Sequence, residues 1–321
     1  MGRCGMTKTI AIQMDHPSRL NPASDTTMAL IEAGQKHGFV FYHYQTEGLQ
    51  YANNGQCLAR AKPITVDLGK IPYYAEGADI PLDLRTVDLI LIRQDPPFDM
   101  DYVATSYVLE QLAAQGVRVL NGPRAVRVGD HKIPQEPFAD LMPPTLITRD
   151  AAAIRAFWHQ HGEIVIKPLY GHGGQQVFHL TRDADNLSSL LELFGAYQKA
   201  PLIAQQFLPQ VRTCDTRILL LNGDVLGVLG RRPQAGQIRS NLASGGTAEA
   251  TTLTAPQQKI VARLAPWLRQ QKIYLAGVDV IGDYLTEINV TSPTGFRAVD
   301  KLNGWAGDNT CAAKFWHNMV W

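Results

Sequence analysis

Three oxygen-bearing side chains lie where buried strands should be apolar: Asp279 in Ala276-Gly-Val-Asp-Val-Ile281, and Glu287 and Asn289 in Leu285-Thr-Glu-Ile-Asn-Val290. The two runs flank a Gly-Asp turn signal, which predicts an antiparallel hairpin. Strand side chains alternate faces, so Glu287 and Asn289 share one. Asp279 joins them only if the loop holds an odd number of residues. A loop of Gly282, Asp283 and Tyr284 would set Asp279 opposite Glu287 and Gly277 opposite Asn289. Val278, Val280, Ile288 and Val290 would then cover the core side. Two carboxylates and an amide carbonyl beside a glycine form a hard-oxygen site. Mg²⁺ suits such a site when it also holds substrate phosphates. The plainer alternative is a hairpin that turns its acids to solvent.

Upstream, the strand 163–167 ends on Lys167 and runs into Pro168-Leu-Tyr-Gly-His-Gly-Gly174. A glycine-rich turn between strands exposes backbone N–H groups and can close over phosphates, with the Lys167 ammonium on a phosphate oxygen. No helix follows, so this is neither a Walker A nor a dinucleotide fingerprint. Alone it would be an ordinary hairpin; together with the downstream oxygen site it reads as a flap. Residues 231–246 are cationic and glycine-rich without apolar periodicity. They are either a disordered surface loop or a lid carrying Arg231, Arg232 and Arg239 to an anionic substrate. Arg93 and Asp95 stand at a strand end before two prolines. A functional loop and a salt-bridged turn both fit them.

The elements that position these groups follow from periodicity. An apolar run at 8–14, a helix at 26–38 capped by Ser24 or Asp25, and a strand at 39–44 give a βαβ opening and an open parallel sheet. Strands at 87–93 and 117–120 bracket a helix at 102–115. Residues 217–221 and 225–229 form a hairpin around Asn222-Gly223, and a helix at 255–271 returns to the oxygen-bearing hairpin. Trp305, Trp316 and Trp321 in the tail read as packing residues.

At 321 residues, the chain fits two or three domains, and a 45% apolar content supplies their cores. Net charge near +1 with no basic stripe argues against nucleic acid or an anionic membrane as partner. No apolar run approaches a membrane span, and no signal-peptide core opens the chain. Cys4, Cys57, Cys214 and Cys311 are far apart and form no CxxC, as expected of free thiols in a reducing cytoplasm.

Taken together, Arg93-Gln-Asp-Pro-Pro-Phe-Asp99, Ile166-Lys-Pro-Leu-Tyr-Gly-His-Gly-Gly174, Arg239-Ser-Asn-Leu-Ala-Ser-Gly-Gly246 and Leu285-Thr-Glu-Ile-Asn-Val-Thr-Ser-Pro-Thr294 resemble the ATP-grasp ligases, specifically the bacterial glutathione synthetase family. The resemblance runs over nearly the whole chain. It implies an α/β protein of three units: a Rossmann-like parallel-sheet domain at 1–123, a small lid at 124–205 and an antiparallel-sheet catalytic domain at 206–321. It implies ATP as co-substrate, Mg²⁺ or Mn²⁺ as metal, and a carboxylate joined to an amine, here γ-glutamylcysteine to glycine. By the same resemblance, Lys132 and Lys167 contact phosphates, and Gly171, Gly173 and Gly174 form the flap. Gln206, Phe207 and Leu208 hold adenine, Asp215 touches ribose or substrate, and Arg217 reaches the phosphates. Asp279, Glu287 and Asn289 become metal ligands; Arg93, Arg231, Arg239 and Asn241 hold substrate. Lys167, Arg217 and Arg239 are the implied catalytic cations. A cytoplasmic homo-oligomer is the form expected. Before Lys132 the chain has Asp130-His131, and Pro134 and Pro137 follow where the family has a helix. A different carboxylate–amine ligase and a non-catalytic nucleotide-binding relative are the alternatives.

Overall fold

The computed structural model describes residues 7–129, 138–171, 173–197 and 199–319. The first unit contains β1 (Thr9–Gln13), α1 (Thr26–Lys36), β2 (Val40–Tyr51), β3 (Cys57–Val66), β4 (Tyr74–Glu76), β5 (Ile80–Asp83), β6 (Leu89–Ile92), α2 (Met100–Ala114), β7 (Val119–Leu120) and α3 (Pro123–Gly129). Its strand order is β4-β3-β2-β1-β6-β7, with β5 added on β3. β1 pairs in parallel with β2 and β6, and β6 with β7, as the βαβ opening predicts. β6 reads Leu-Ile-Leu-Ile and is buried throughout, as a parallel strand covered on both faces must be. Asp25 is the cap of α1, its carboxylate accepting the Met28 N–H at 2.7 Å; Asp99 serves α2 in the same way. The antiparallel extension through β3, β4 and β5 was not foreseen. α3 lies on α2, where Arg127 pairs with Glu110.

Next come β8 (Thr145–Thr148), α4 (Ala151–His161), β9 (Ile164–Pro168), β10 (Phe178–Leu180), α5 (Leu187–Tyr197) and β11 (Leu202–Gln206). Here the sheet is antiparallel, in the order β10-β9-β11-β8. The chain then forms β12 (Asp215–Leu221), β13 (Asp224–Arg232), β14 (Thr247–Glu249), α6 (Ala255–Gln270), β15 (Leu275–Ile281), β16 (Tyr284–Asn289), α7 (Phe296–Asn303) and α8 (Cys311–His317). These strands make a second antiparallel sheet, β14-β13-β12-β15-β16. Asn222 and Gly223 both have positive φ, the requirement of the predicted two-residue turn.

The oxygen-bearing hairpin is β15–β16. Gly277 faces Asn289, Val278 faces Ile288 and Asp279 faces Glu287, the expected register. Its loop differs from expectation. Ile281 pairs with Tyr284 across a two-residue Gly282-Asp283 turn, and the odd residue is Thr286, accommodated as a bulge. Gly282, at φ +60°, carries the backbone turn that a side chain would strain. Val278, Val280, Leu285 and Ile288 pack against Ile260, Leu264 and Leu268 of α6. Each such side chain contributes about 1.5–3 kcal/mol by leaving water. The other face of the hairpin is therefore the one left for chemistry.

α7 and α8 return to the first unit, where Phe296, Phe315 and Trp316 join Leu30, Ile31 and Phe41 in one core. The Trp316 indole N–H donates to Leu30 O at 2.8 Å, so its burial leaves no donor unmet. Trp305 packs against that core and holds Lys314 over its ring, whereas Trp321 lies outside the described residues. No helix among the described residues is long and apolar enough to cross a membrane.

One buried amide joins the first unit to the hairpin. Asn121 Nδ2 donates to Leu275 O and Val290 O, both at 2.7 Å, and Oδ1 accepts from Tyr274 N and Leu275 N. Asn121→Ala should cost about 2–4 kcal/mol, because it leaves buried donors and acceptors unmet. Denaturant unfolding checks this; a loss below about 0.5 kcal/mol would mean the amide is not a clamp.

Candidate active site

Alternation along the central strand β12 puts Asp215 and Arg217 on one face. Pairing then supplies their partners: Asp215 sits opposite Arg231 of β13, and Arg217 opposite Asp279 of β15. The guanidinium of Arg217 grips Asp279 with Nε at 2.5 Å and Nη2 at 2.9 Å. Arg231 Nη2 reaches Asp215 at 2.7 Å and Asp279 at 3.0 Å, and Ser240 Oγ donates to Asp215. All four charged groups are buried. Two arginines against two acids make a neutral network, the arrangement that lets charges stay out of water.

Titration within it is uneven. Burial pushes Asp279 up, but Arg217 and Arg231 more than offset this and hold it at about 2. Burial also raises Asp215, which has Arg231 alone among the arginines and the Asp279 charge beside it; the net direction is up. Burial opposes the charge on Arg231, yet its two carboxylates hold it above its ordinary value. These directions conflict, since Arg231 gains from an ionised Asp215 while Asp215 resists ionising. Asp279 has two arginine partners and Asp215 one, so Asp279 and Arg231 stay charged and a proton goes to Asp215 first.

Two cavities adjoin this network. The first lies between the two antiparallel sheets, lined by Lys167, Gly171, Gly173, Gly174, Gln205, Gln206, Phe207, Leu208, Asp215, Arg239, Asn241, Asp279 and Glu287. Lys167 Nζ stands 3.4 Å from Gln205 Oε1, whose amide nitrogen is held by Thr145 Oγ1 at 2.8 Å. The flap glycines Gly173 and Gly174 have φ +61° and +74°, and a Cβ on Gly174 would come within 2.5 Å of Asn241 Oδ1. Ser244 Oγ donates to Gly173 O at 2.6 Å. Flap and cationic loop therefore touch over the cavity, and the loop is ordered structure containing a 3-10 turn at Leu242–Ser244.

The second cavity is lined by Asp95, Pro96, Arg217, Arg231, Asn289 and residues 291–295. Gly173, Asn241 and Glu287 line both cavities. The two cavities divide the expected site residues between them. Arg217 lines the second and not the first. Arg239 lines the first and not the second. Arg93 lines neither. It is buried, with Nε on Thr27 Oγ1 at 2.9 Å and both terminal nitrogens on Pro293 O. Its bonds tie β6 to α1 and to the loop after β16. Lys132 lies outside the described residues. Gln205, Ser240 and Asn121 were missed; Asp95 was marked by its position at a strand end, and it lines the second cavity.

The oxygen donors fit a hard cation. Asp279 and Glu287 face each other, and Asn289 Nδ2 bonds Gly277 O at 3.3 Å and Asp279 Oδ2 at 3.4 Å, bonds in which its amide oxygen takes no part. No cluster of three His, Cys, Asp or Glu suited to a metal occurs among the described residues; what Asn289 would add to the two carboxylates is an amide oxygen.

A cleft between two antiparallel sheets, covered by a glycine flap and a cationic loop, is the arrangement of the ATP-grasp class of ligases. Solved structures agree on the fold: D-cycloserine synthetase DcsG superposes with a TM-score of 0.64 at 14% identity, over 96% of this chain and 98% of its own. Two family models match, the prokaryotic glutathione synthetase N-terminal domain over residues 9–127 and its ATP-grasp domain over residues 131–304. The glutathione synthetase of Agrobacterium fabrum is 45% identical over 92% of both chains. That of Brucella melitensis is 43% identical over 97% of this chain and 98% of its own. The chain belongs to the prokaryotic glutathione synthetase family. It is an ATP-dependent ligase of glutathione synthesis.

Proposed function

We propose that ATP occupies the first cavity and γ-glutamylcysteine the second, the two meeting at Gly173, Asn241 and Glu287. The observation that carries this reading is the pair of cavities with only those residues in common. The overall reaction is ATP + γ-glutamylcysteine + glycine → glutathione + ADP + phosphate. The cysteinyl carboxylate attacks the γ-phosphorus, ADP leaves, and an acyl phosphate forms. Glycine's amine then adds to the acyl carbon and phosphate departs.

The strand 202–206 and Phe207-Leu208 offer backbone and apolar groups to an adenine edge. Lys167 and Arg239 bring positive charge to the phosphates, and the flap glycines bring N–H groups. Arg217 and Arg231 face the dipeptide, with their charges fixed by Asp279 and Asp215. Asp279, Glu287 and Asn289 would hold Mg²⁺, or Mn²⁺ in its place. When bound, the metal supplies charge neutralisation at the polyphosphate. Closure of the flap onto the cationic loop keeps water from the acyl phosphate. Lys132 remains proposed as a phosphate contact. The three-unit division is proposed with its borders moved past Gly129 and Gln206, since α3 lies on α2 and β11 includes Gln206. A cytoplasmic homo-oligomer is proposed with it.

An ADP-release assay tests the reading. Dipeptide alone should give about one ADP per active site, and adding glycine should bring continuous turnover. No ADP from this trio, with ADP from another carboxylate–amine pair, would overturn it.

A further inference from the structure

The second cavity has an acidic wall that the reaction so far leaves unused. Its lining carboxylates are Asp95 and Glu287, and Glu287 belongs to the metal set. Arg217 and Arg231, also on the lining, are already matched by Asp279 and Asp215. Asp95 is the remaining carboxylate of the lining, an exposed side chain on the wall made by the first unit, with Ser292 and the buried Arg93 beside it.

Its loop is held firmly. Asp95 N–H donates to Asp15 Oδ2 at 2.9 Å, and Arg93 N–H donates to Gln13 O at 2.8 Å. Ser292 Oγ donates to Arg93 O at 3.1 Å, from the strand-end loop that floors the cavity. A carboxylate on so fixed a backbone is pre-organised for a cation.

We propose that Asp95 receives the α-ammonium of the γ-glutamyl group, and so determines specificity for a dipeptide that carries it. This rests on assigning the second cavity to the dipeptide. That substrate has one ammonium, at the end remote from the carboxylate that reacts. Asp95 lines only the second cavity, whereas Gly173, Asn241 and Glu287, where the reacting ends would meet, line both. Glycine's amine is the less suitable guest. It must be unprotonated to attack, and a carboxylate paired with it would favour the ammonium form.

The test crosses two enzymes with two substrates. Wild type and Asp95→Asn are assayed with γ-glutamylcysteine and with N-glutarylcysteine, in which hydrogen replaces the ammonium. The variant should lose about 10- to 100-fold in kcat/KM on γ-glutamylcysteine, through KM, because a charge-assisted bond common to ground and transition states is lost. On N-glutarylcysteine it should stay within about threefold of wild type. KM for ATP and for glycine, and the melting temperature, should be unchanged; Asp95→Glu should recover part of the preference. Equal losses on both substrates, or a fall in kcat alone, would overturn the assignment. Failure of the wild type to turn over γ-glutamylcysteine and glycine would instead overturn the reading beneath it.

Discussion

Glu287→Gln should lower kcat by about 10³-fold or more while leaving the melting temperature of the nucleotide-free protein unchanged. The side chain keeps its size and half-buried position on β16, so packing against α6, which uses the opposite face, is untouched. What changes is one negative oxygen where the cavities meet. A neutral amide holds a hard cation less well than a carboxylate does, and the polyphosphate then keeps more of its own charge. A second measurement separates this from a general defect. Mg²⁺ plus ATP should raise the melting temperature of the wild type by mass action, and that rise should shrink in the variant. Wild-type turnover, or an undiminished rise, would remove Glu287 from the metal set.

The hairpin was legible because period-2 alternation is a property of the backbone. Polar residues at Glu287 and Asn289, with apolar residues between, can serve only one arrangement of faces. Its loop was not legible. A three-residue loop and a two-residue turn with a bulge give the same register at Asp279, and sequence does not distinguish them when Thr286 fits either. The ion network was half visible. Asp215 and Arg217, two apart in an apolar strand, mark a polar face, but their partners Arg231 and Asp279 depend on β12 lying between β13 and β15, which local sequence does not specify. Arg93 shows the opposite failure. The rule that strand ends face ligands points to it, yet its long side chain folds back to Thr27 and Pro293, while Asp95 two residues on meets the cavity. Asn121 had no local signal at all, since its four bonds go to residues more than 150 positions away.

That dependence on long-range pairing makes Asp279→Asn the most damaging change to both folding and turnover. The substitution is isosteric, so any loss comes from charge and not from a cavity. Asp279 is 3% exposed and faces two guanidinium groups. Without its charge, Arg217 loses its carboxylate partner and Arg231 keeps only Asp215, the carboxylate that burial already pushes toward its protonated form. Breaking a buried pair from one side costs about 3–5 kcal/mol, more than most single changes in a protein. Turnover should vanish with it, because Asp279 is also a carboxylate of the proposed metal set and fixes Arg217 on the wall of the second cavity. Pairing is separable from mere burial by adding Arg217→Gln. With the opposing cation gone, the double variant should lose less stability than the sum of the single changes. Additive losses in denaturant unfolding would mean the two side chains are not coupled. Unchanged stability of Asp279→Asn alone would mean that Asp279 is not the counter-ion of the two arginines.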